Sequence, residues 1–186
     1  MKRIAAILLL LFLLTGCTAS GPEMDRAISI RSKMLNGNGC SFNAVITADY
    51  SETVTTFTLS CQFDSNGNMS FSVIEPTSIA GITGKVSEDG GALTFDDAVL
   101  GFSLLADGQL SPVSAPWILI KTLHTGYLKA CNTYDLGLHM IIDDSYEENA
   151  LQLDIWTDTD DLPNQAEIVY DGRRILSIEI RNFVYL

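Results

Sequence analysis

Apolar and polar positions divide this chain into an apolar leader, two helical stretches and a long run of alternating segments. Over 40–50, Cys40, Phe42, Ala44, Ile46, Ala48 and Tyr50 share one face, and Ser41, Asn43, Thr47 and Asp49 the other, with Val45 the exception. Over 53–63, Thr55, Phe57, Leu59, Cys61 and Phe63 alternate with Thr56, Thr58, Ser60 and Gln62. Period two with one apolar face predicts half-buried strands. The pattern resumes at Met69, Phe71 and Val73 after the polar turn 64–68, and Pro76 interrupts it. Further strands are predicted near 79–86, 92–96, 99–105, 127–133, 136–143, 150–156, 165–170 and 174–182. Leu136, Leu138, Met140 and Ile142 alternate, as do Leu151, Leu153 and Ile155, and Leu176, Ile178 and Ile180 follow the hairpin dipeptide Asp171-Gly172.

Two stretches break the alternation. Residues 23–35 read as an amphipathic helix with Met24, Ala27, Ile28, Arg31 and Leu35 near one stripe, stopped by Asn36-Gly37-Asn38-Gly39. Residues 114–124 have prolines at their start, Pro112 just before and Pro116 within, and Trp117–His124 is apolar nearly all round, which predicts a short buried helix. About ten strands in hairpin succession with two helices give an α+β, mainly antiparallel fold: one large curved sheet whose apolar face the helices must cover. Such a sheet encloses either a packed core or a ligand cavity. Phe95, Phe102, Leu104, Trp117, Ile118, Ile120 and Leu123 are the candidate cavity lining, with plain core packing as the competing role.

The leader belongs to export. Lys2 and Arg3 precede an apolar run over 4–14, which is shorter than the roughly 20 residues a spanning helix takes. It ends in Leu14-Thr15-Gly16-Cys17, which resembles the bacterial lipobox. That resemblance implies cleavage before Cys17 and diacylation of its sulfur, two acyl chains being enough for stable anchoring. The expected organisation is a signal peptide over 1–16, a lipidated cysteine with a short tether over 17–22, and one domain over 23–186. The tether 18–21 spans on the order of 15 Å, so the domain is expected close to the membrane surface.

Charge then narrows the partners. The chain carries 11 Lys+Arg against 23 Asp+Glu, and loss of 1–16 moves its formal charge from −12 to −14. That excludes a basic nucleic-acid surface and a polybasic membrane patch.

Export also places Cys40, Cys61 and Cys131 where disulfides persist. Three cysteines allow three single pairings. A tight turn at Tyr50-Ser51 would set Cys40 opposite Cys61, Phe42 beside Leu59 and Ala44 beside Phe57, favouring a structural Cys40–Cys61 bond. A different loop shifts that register. Cys131 is then the remaining thiol, buried and inert or, alternatively, intermolecular.

Catalytic chemistry is not visible. His124 ends the apolar helix, where a cation suits the dipole, and His139 lies opposite Leu138 and Met140; neither has metal-ligand spacing. No Gly-x-Ser-x-Gly elbow or phosphate-binding glycine loop occurs. The carboxylates at 143–148 and 158–161 sit at expected turns, and Asp158-x-Asp160 lacks the glycine and later glutamate of a calcium loop. No enzyme activity, metal or cofactor is expected.

Lipobox, first helix, antiparallel meander, Ser-Pro segment and apolar helix together resemble the LolA/LolB-like lipoprotein-carrier superfamily. The nearest likeness is to its lipoprotein members in Gram-positive spore formers, including sporulation and germination lipoproteins. The residues that carry it are Phe71-Ser72-Val73-Ile74-Glu75-Pro76, Ile79-Ala80-Gly81-Ile82, Ala92-Leu93-Thr94-Phe95-Asp96 and Leu110-Ser111-Pro112. Leu162-Pro163-Asn164-Gln165-Ala166-Glu167-Ile168 and Asp171-Gly172-Arg173-Arg174-Ile175 complete it. The resemblance implies an open half-barrel with helices lining or plugging a hydrophobic cavity. It further implies a non-enzymatic, membrane-anchored, extracytoplasmic protein that binds a lipid, acyl or other hydrophobic ligand. The alternative role is a scaffold docking an envelope or spore-cortex enzyme without bound lipid. Lipid anchoring departs from the soluble periplasmic carrier and favours a receptor, acceptor or fixed scaffold over a shuttle.

Overall fold

A computed structural model describes residues 21–88, 90–94, 106–108 and 110–186. After helix α1 (Pro22–Asn36) come β1 (Gly39–Asp49), β2 (Val54–Asp64), β3 (Met69–Glu75), β4 (Thr83–Ser87) and β5 (Gly90–Thr94). Helix α2 (Ala115–Thr125) then precedes β6 (Tyr127–Tyr134), β7 (Gly137–Asp143), β8 (Gln152–Thr157), β9 (Pro163–Tyr170) and β10 (Arg173–Tyr185). Among the described residues these ten strands form one antiparallel sheet, ordered β5-β4-β3-β2-β1-β10-β9-β8-β7-β6. Among the described residues β5 and β6 do not pair with each other, so the sheet is open. The expected strand over 99–105 lies outside the described residues, and the one expected over 79–86 begins only at Thr83.

Alternation gave the faces correctly. Phe42, Ala44, Ile46, Leu59, Phe71, Met140, Leu153, Ile155, Ile168 and Ile178 are all buried on one side, in a core shared with both helices. Leu136 does not join them. It occupies the β6–β7 turn and is 74% exposed, because the chain reverses there and β7 starts one residue later. Asp171 and Gly172 both take positive φ, 49° and 70°, in the tight turn that joins β9 to β10.

The β1–β2 register corrects the expected cysteine pairing. Tyr50 N donates to Thr53 O, so the loop holds four residues rather than a two-residue turn. The strands consequently pair Cys40 with Phe63, Phe42 with Cys61, Ala44 with Leu59 and Ile46 with Phe57. A shift of two leaves every side chain on its own face. Cys40 and Cys61 therefore remain inward but diagonal, and both are free buried thiols, as is half-buried Cys131.

Helix α1 also presents a different face from the one expected. Ala27, Ile30 and Met34 are buried, whereas Ile28 and Leu35 are 54% and 59% exposed. The stripe at i, i+3 and i+7 faces the core, and its neighbour one position on faces out.

The helices show how strongly the sheet curves. Helix α1 lies across one end of it. Cys131 and Thr133 on β6 bond to Glu23 at its start, and Leu186, just beyond β10, bonds with Asn38 and Gly39 beyond its end. Helix α2 lies inside. Trp117 Nε1 donates to Gly67 O in the β2–β3 turn at 2.9 Å. The same ring lines a depression with Asp144 and Leu151 from the β7–β8 connection. In the strand order those two connections are five strands apart, at opposite ends of the sheet, and α2 has a neighbour in each, which places the helix within the open, curved sheet.

Candidate ligand site between the helices and the sheet

Helix α2 occupies the concave face. Among the sequence-derived lining candidates, Ile118, Ile120 and Leu123 are buried, and Trp117 is half-buried against the core. Lys121 Nζ lies 4.8 Å from the Trp117 ring centre. Phe95, Phe102 and Leu104 lie outside the described residues, as does Cys17. Described apolar residues thus fill the concavity.

The C-terminus of α2 is held by a residue for which sequence reasoning assigned only a place on a helical stripe. Arg31 Nε donates to Leu123 O at 2.8 Å, and one terminal nitrogen donates to His124 O at 3.0 Å and Gly126 O at 2.9 Å. A helix end leaves carbonyls unpaired, and a planar guanidinium spans several of them. Burial and the Arg31 charge hold the His124 pKa below its ordinary value. The cation expected at this helix end is therefore Arg31 from α1, not His124. Gly126 fits because a Cβ there would come within 2.6 Å of Thr122 O.

Beside this junction a pocket of about 100 Å³ lies between both helices and the ends of β1, β2 and β10. Met34, Leu35, Phe63 and Ile120 form its apolar wall, and Cys40, Asp64, Ser65, His124 and Tyr185 complete the lining. Gly39 opens the strand end here. Its φ is +123°, and a Cβ would meet Phe63 O at 2.0 Å. Burial pushes the Cys40 thiol up to about 12, so it stays protonated. Tyr185 is also raised, chiefly by burial. Its hydroxyl is buried and has no hydrogen-bond partner among the described residues. Asp64 is held ionised by donors from Asn68 and Asn66 that close the β2–β3 turn.

Of the sequence-derived residues, the pocket brings together Cys40 and Ile120, while Trp117 and Ile118 line a separate depression with Lys121 and Thr122. Tyr185 and Met34 were not foreseen as lining. Only three-dimensional proximity joins them, since β10 reaches β1 across the whole chain.

The acidic clusters form turns: Asp144 Oδ1 accepts from Leu151 N, Asp158 Oδ1 accepts from Asp160 N and Leu162 N, and Asp161 pairs with Arg26. On the outer face, His139 Nε2 lies 2.8 Å from Asp154 Oδ1, an acceptor, which places the ring proton on Nε2. The imidazole stacks on Trp156 at 4.5 Å between centres, and Tyr134 meets the same indole edge-on. No described helix is long and apolar enough to cross a membrane.

No protein-family profile matches this chain, and no curated relative matches it. Solved structures do. A LolA superfamily protein from Nitrosomonas europaea matches at 12% identity and a TM-score of 0.43, over 84% of this chain and 92% of that one. The lipoprotein LppX from Mycobacterium tuberculosis matches at 12% identity and 0.39, over 87% and 94%. The MucA/MucB complex structure from Pseudomonas aeruginosa matches at 12% identity and 0.41, over 87% and 56%.

Proposed function

We propose that this chain is a membrane-anchored, extracytoplasmic lipoprotein that binds an acyl or other hydrophobic ligand without catalysing a reaction. Cys17 carries the anchor, and the ligand enters between α1 and α2. One observation carries the reading: the pocket is walled by Met34, Leu35, Phe63 and Ile120 and is continuous with the apolar core beneath. At about 100 Å³ it is smaller than a cavity that binds benzene, so it admits the head of a ligand and not a long chain. A longer chain takes the place of α2 side chains, exchanging one apolar surface for another at little cost in burial. The finer placement, among sporulation and germination lipoproteins of Gram-positive spore formers, is supported by the sequence stretches quoted above.

Titration of the full chain with a fluorescent fatty acyl probe tests the binding. Saturable enhancement at one probe per chain is expected; signal that rises without saturation contradicts the reading. Replacing Cys17 with Ala should move the protein from the membrane to the soluble fraction, and retention on the membrane after signal cleavage would refute the anchor.

A second reading rests on the outer face. Tyr134, His139 and Trp156 form an aromatic group beside Asp154 there, while the described concavity is packed. Aromatic side chains such as Tyr134 and Trp156 suit a protein partner, as a scaffold for an envelope or cortex enzyme requires. Co-purification of a stoichiometric envelope protein, lost on Trp156→Ala, would favour it.

A further inference from the structure

The β6–β7 turn carries an apolar tip beside the start of α1. Leu136 is 74% exposed there, and Tyr134, just before it, is 55% exposed. Trp156, at the same end of β8, meets the Tyr134 ring edge-on at 6.4 Å between centres. One exposed apolar residue is ordinary on a soluble surface, but these three gather at one corner of the sheet.

The entry of α1 is pinned to that corner. Glu23 O accepts from Cys131 Sγ at 3.3 Å and Glu23 Oε1 from Thr133 Oγ1 at 3.1 Å, while Arg26 donates to Leu136 O at 3.5 Å. Cys17 stands six positions before Glu23. Even fully extended, that stretch spans only about 20 Å. In the anchored chain the lipid surface is therefore within reach of the Leu136 tip, and the acyl chains hold it there at high effective concentration. A contact too weak to recruit the domain is then enough to orient it.

Charge limits what kind of contact this is. Arg26 is paired with Asp161. Asp135 lies in the turn itself, Asp158 and Asp160 in the neighbouring β8–β9 turn, and Glu23 and Asp25 on α1. The corner is net acidic, so anionic headgroups do not draw it in; burial of apolar and aromatic surface does. Tyrosine and tryptophan, with an apolar body and a polar edge, suit the headgroup level of a bilayer.

We propose that the β6–β7 turn rests on the bilayer to which Cys17 tethers the chain, with Leu136 among the first methylenes and the Tyr134 and Trp156 rings at headgroup level. The inference rests on the anchoring reading above and adds which face meets lipid. It gives to the membrane the rings that the second reading gives to a protein.

The test uses the full acylated chain in phosphatidylcholine vesicles that carry a nitroxide on the headgroup. The chain has two tryptophans, Trp117 and Trp156. Fluorescence quenching by the nitroxide is expected in the unaltered chain and in Trp117→Phe, and its loss in Trp156→Phe. Leu136→Asp, a change at an exposed turn position, should float with the vesicles as before yet lose the quenching. Phosphatidylglycerol should weaken the quenching at low salt, and added salt should restore it. Flotation without quenching of Trp156 overturns the contact and leaves the anchor standing, as does quenching that survives Leu136→Asp or is strengthened by phosphatidylglycerol. Trp156 that stays equally open to aqueous iodide with and without vesicles assigns the corner to a protein partner and also overturns it. Failure of the unaltered chain to float refutes the anchor and the contact together.

Discussion

The Arg31 guanidinium donates to the Leu123 carbonyl at 2.8 Å, so a residue of the first helix closes the last turn of the second. With the bonds to His124 O and Gly126 O, one side chain ties α1, α2 and the start of β6 together. Burial lowers the Arg31 pKa, but a guanidinium so far above neutrality remains charged.

Removing it leaves three carbonyls without this donor. Arg31→Ala is expected to lower stability by about 2–3 kcal/mol, given that hydrogen bonds to charged groups contribute about 1.5–3 kcal/mol each and are not additive. Arg31→Lys should recover only part, since an ammonium cannot reproduce the fork. Urea unfolding of the three proteins checks this. Equal midpoints for Arg31→Ala and the unaltered chain would remove Arg31 from the account.

Tyr185→Phe should behave in the opposite sense. It deletes a buried hydroxyl with no partner among the described residues and keeps the ring that meets Phe183 at 5.2 Å. Stability should be unchanged or rise by about 1 kcal/mol. A loss of that size in thermal unfolding would mean that the hydroxyl is satisfied.

The thiols should separate by accessibility. Burial raises the pKa of both Cys40 and Cys61, and each is only 2% exposed. Cys131 is less buried and donates to Glu23 O at 3.3 Å. Alkylation near pH 8 followed by peptide mapping should modify Cys131 first and reach the other two only on unfolding. A Cys40–Cys61 disulfide in the non-reduced map would contradict the register found between β1 and β2.

His124 gives a pH dependence. Its folded pKa lies below the ordinary histidine value, through burial and then the Arg31 charge. As pH falls through about 6.5, the unfolded chain takes up the proton first, so stability declines from there down to the folded pKa. The urea midpoint should fall between about pH 7 and pH 5, and His124→Gln should flatten that part of the profile. An identical slope in the variant would place the effect elsewhere.

Alternation made the sheet legible because a strand with one buried face repeats every second residue, and the core faces of β1, β2, β7, β8 and β10 follow it. Pairing was less legible. The apolar pattern is unchanged by a two-residue shift, so only the length of the Tyr50–Thr53 loop decides whether Cys61 opposes Cys40 or Phe42. Helix α1 carries two adjacent stripes of similar hydrophobicity, Ala27-Ile30-Met34 and Ile28-Leu35, and nothing local chooses between them. The site was harder still. Tyr185 and Met34 line one pocket only because β10 pairs with β1, and Arg31 reaches α2 across more than ninety positions. Such contacts have no local sequence signature.

The most direct test of acyl binding is native mass spectrometry of the full chain purified from its envelope, with lipid extraction of the same sample. The anchored protein is expected to carry one further acyl lipid, non-covalently bound and released by denaturation. A mass equal to the acylated chain alone, with no lipid in the extract and a stoichiometric protein in its place, would contradict the account.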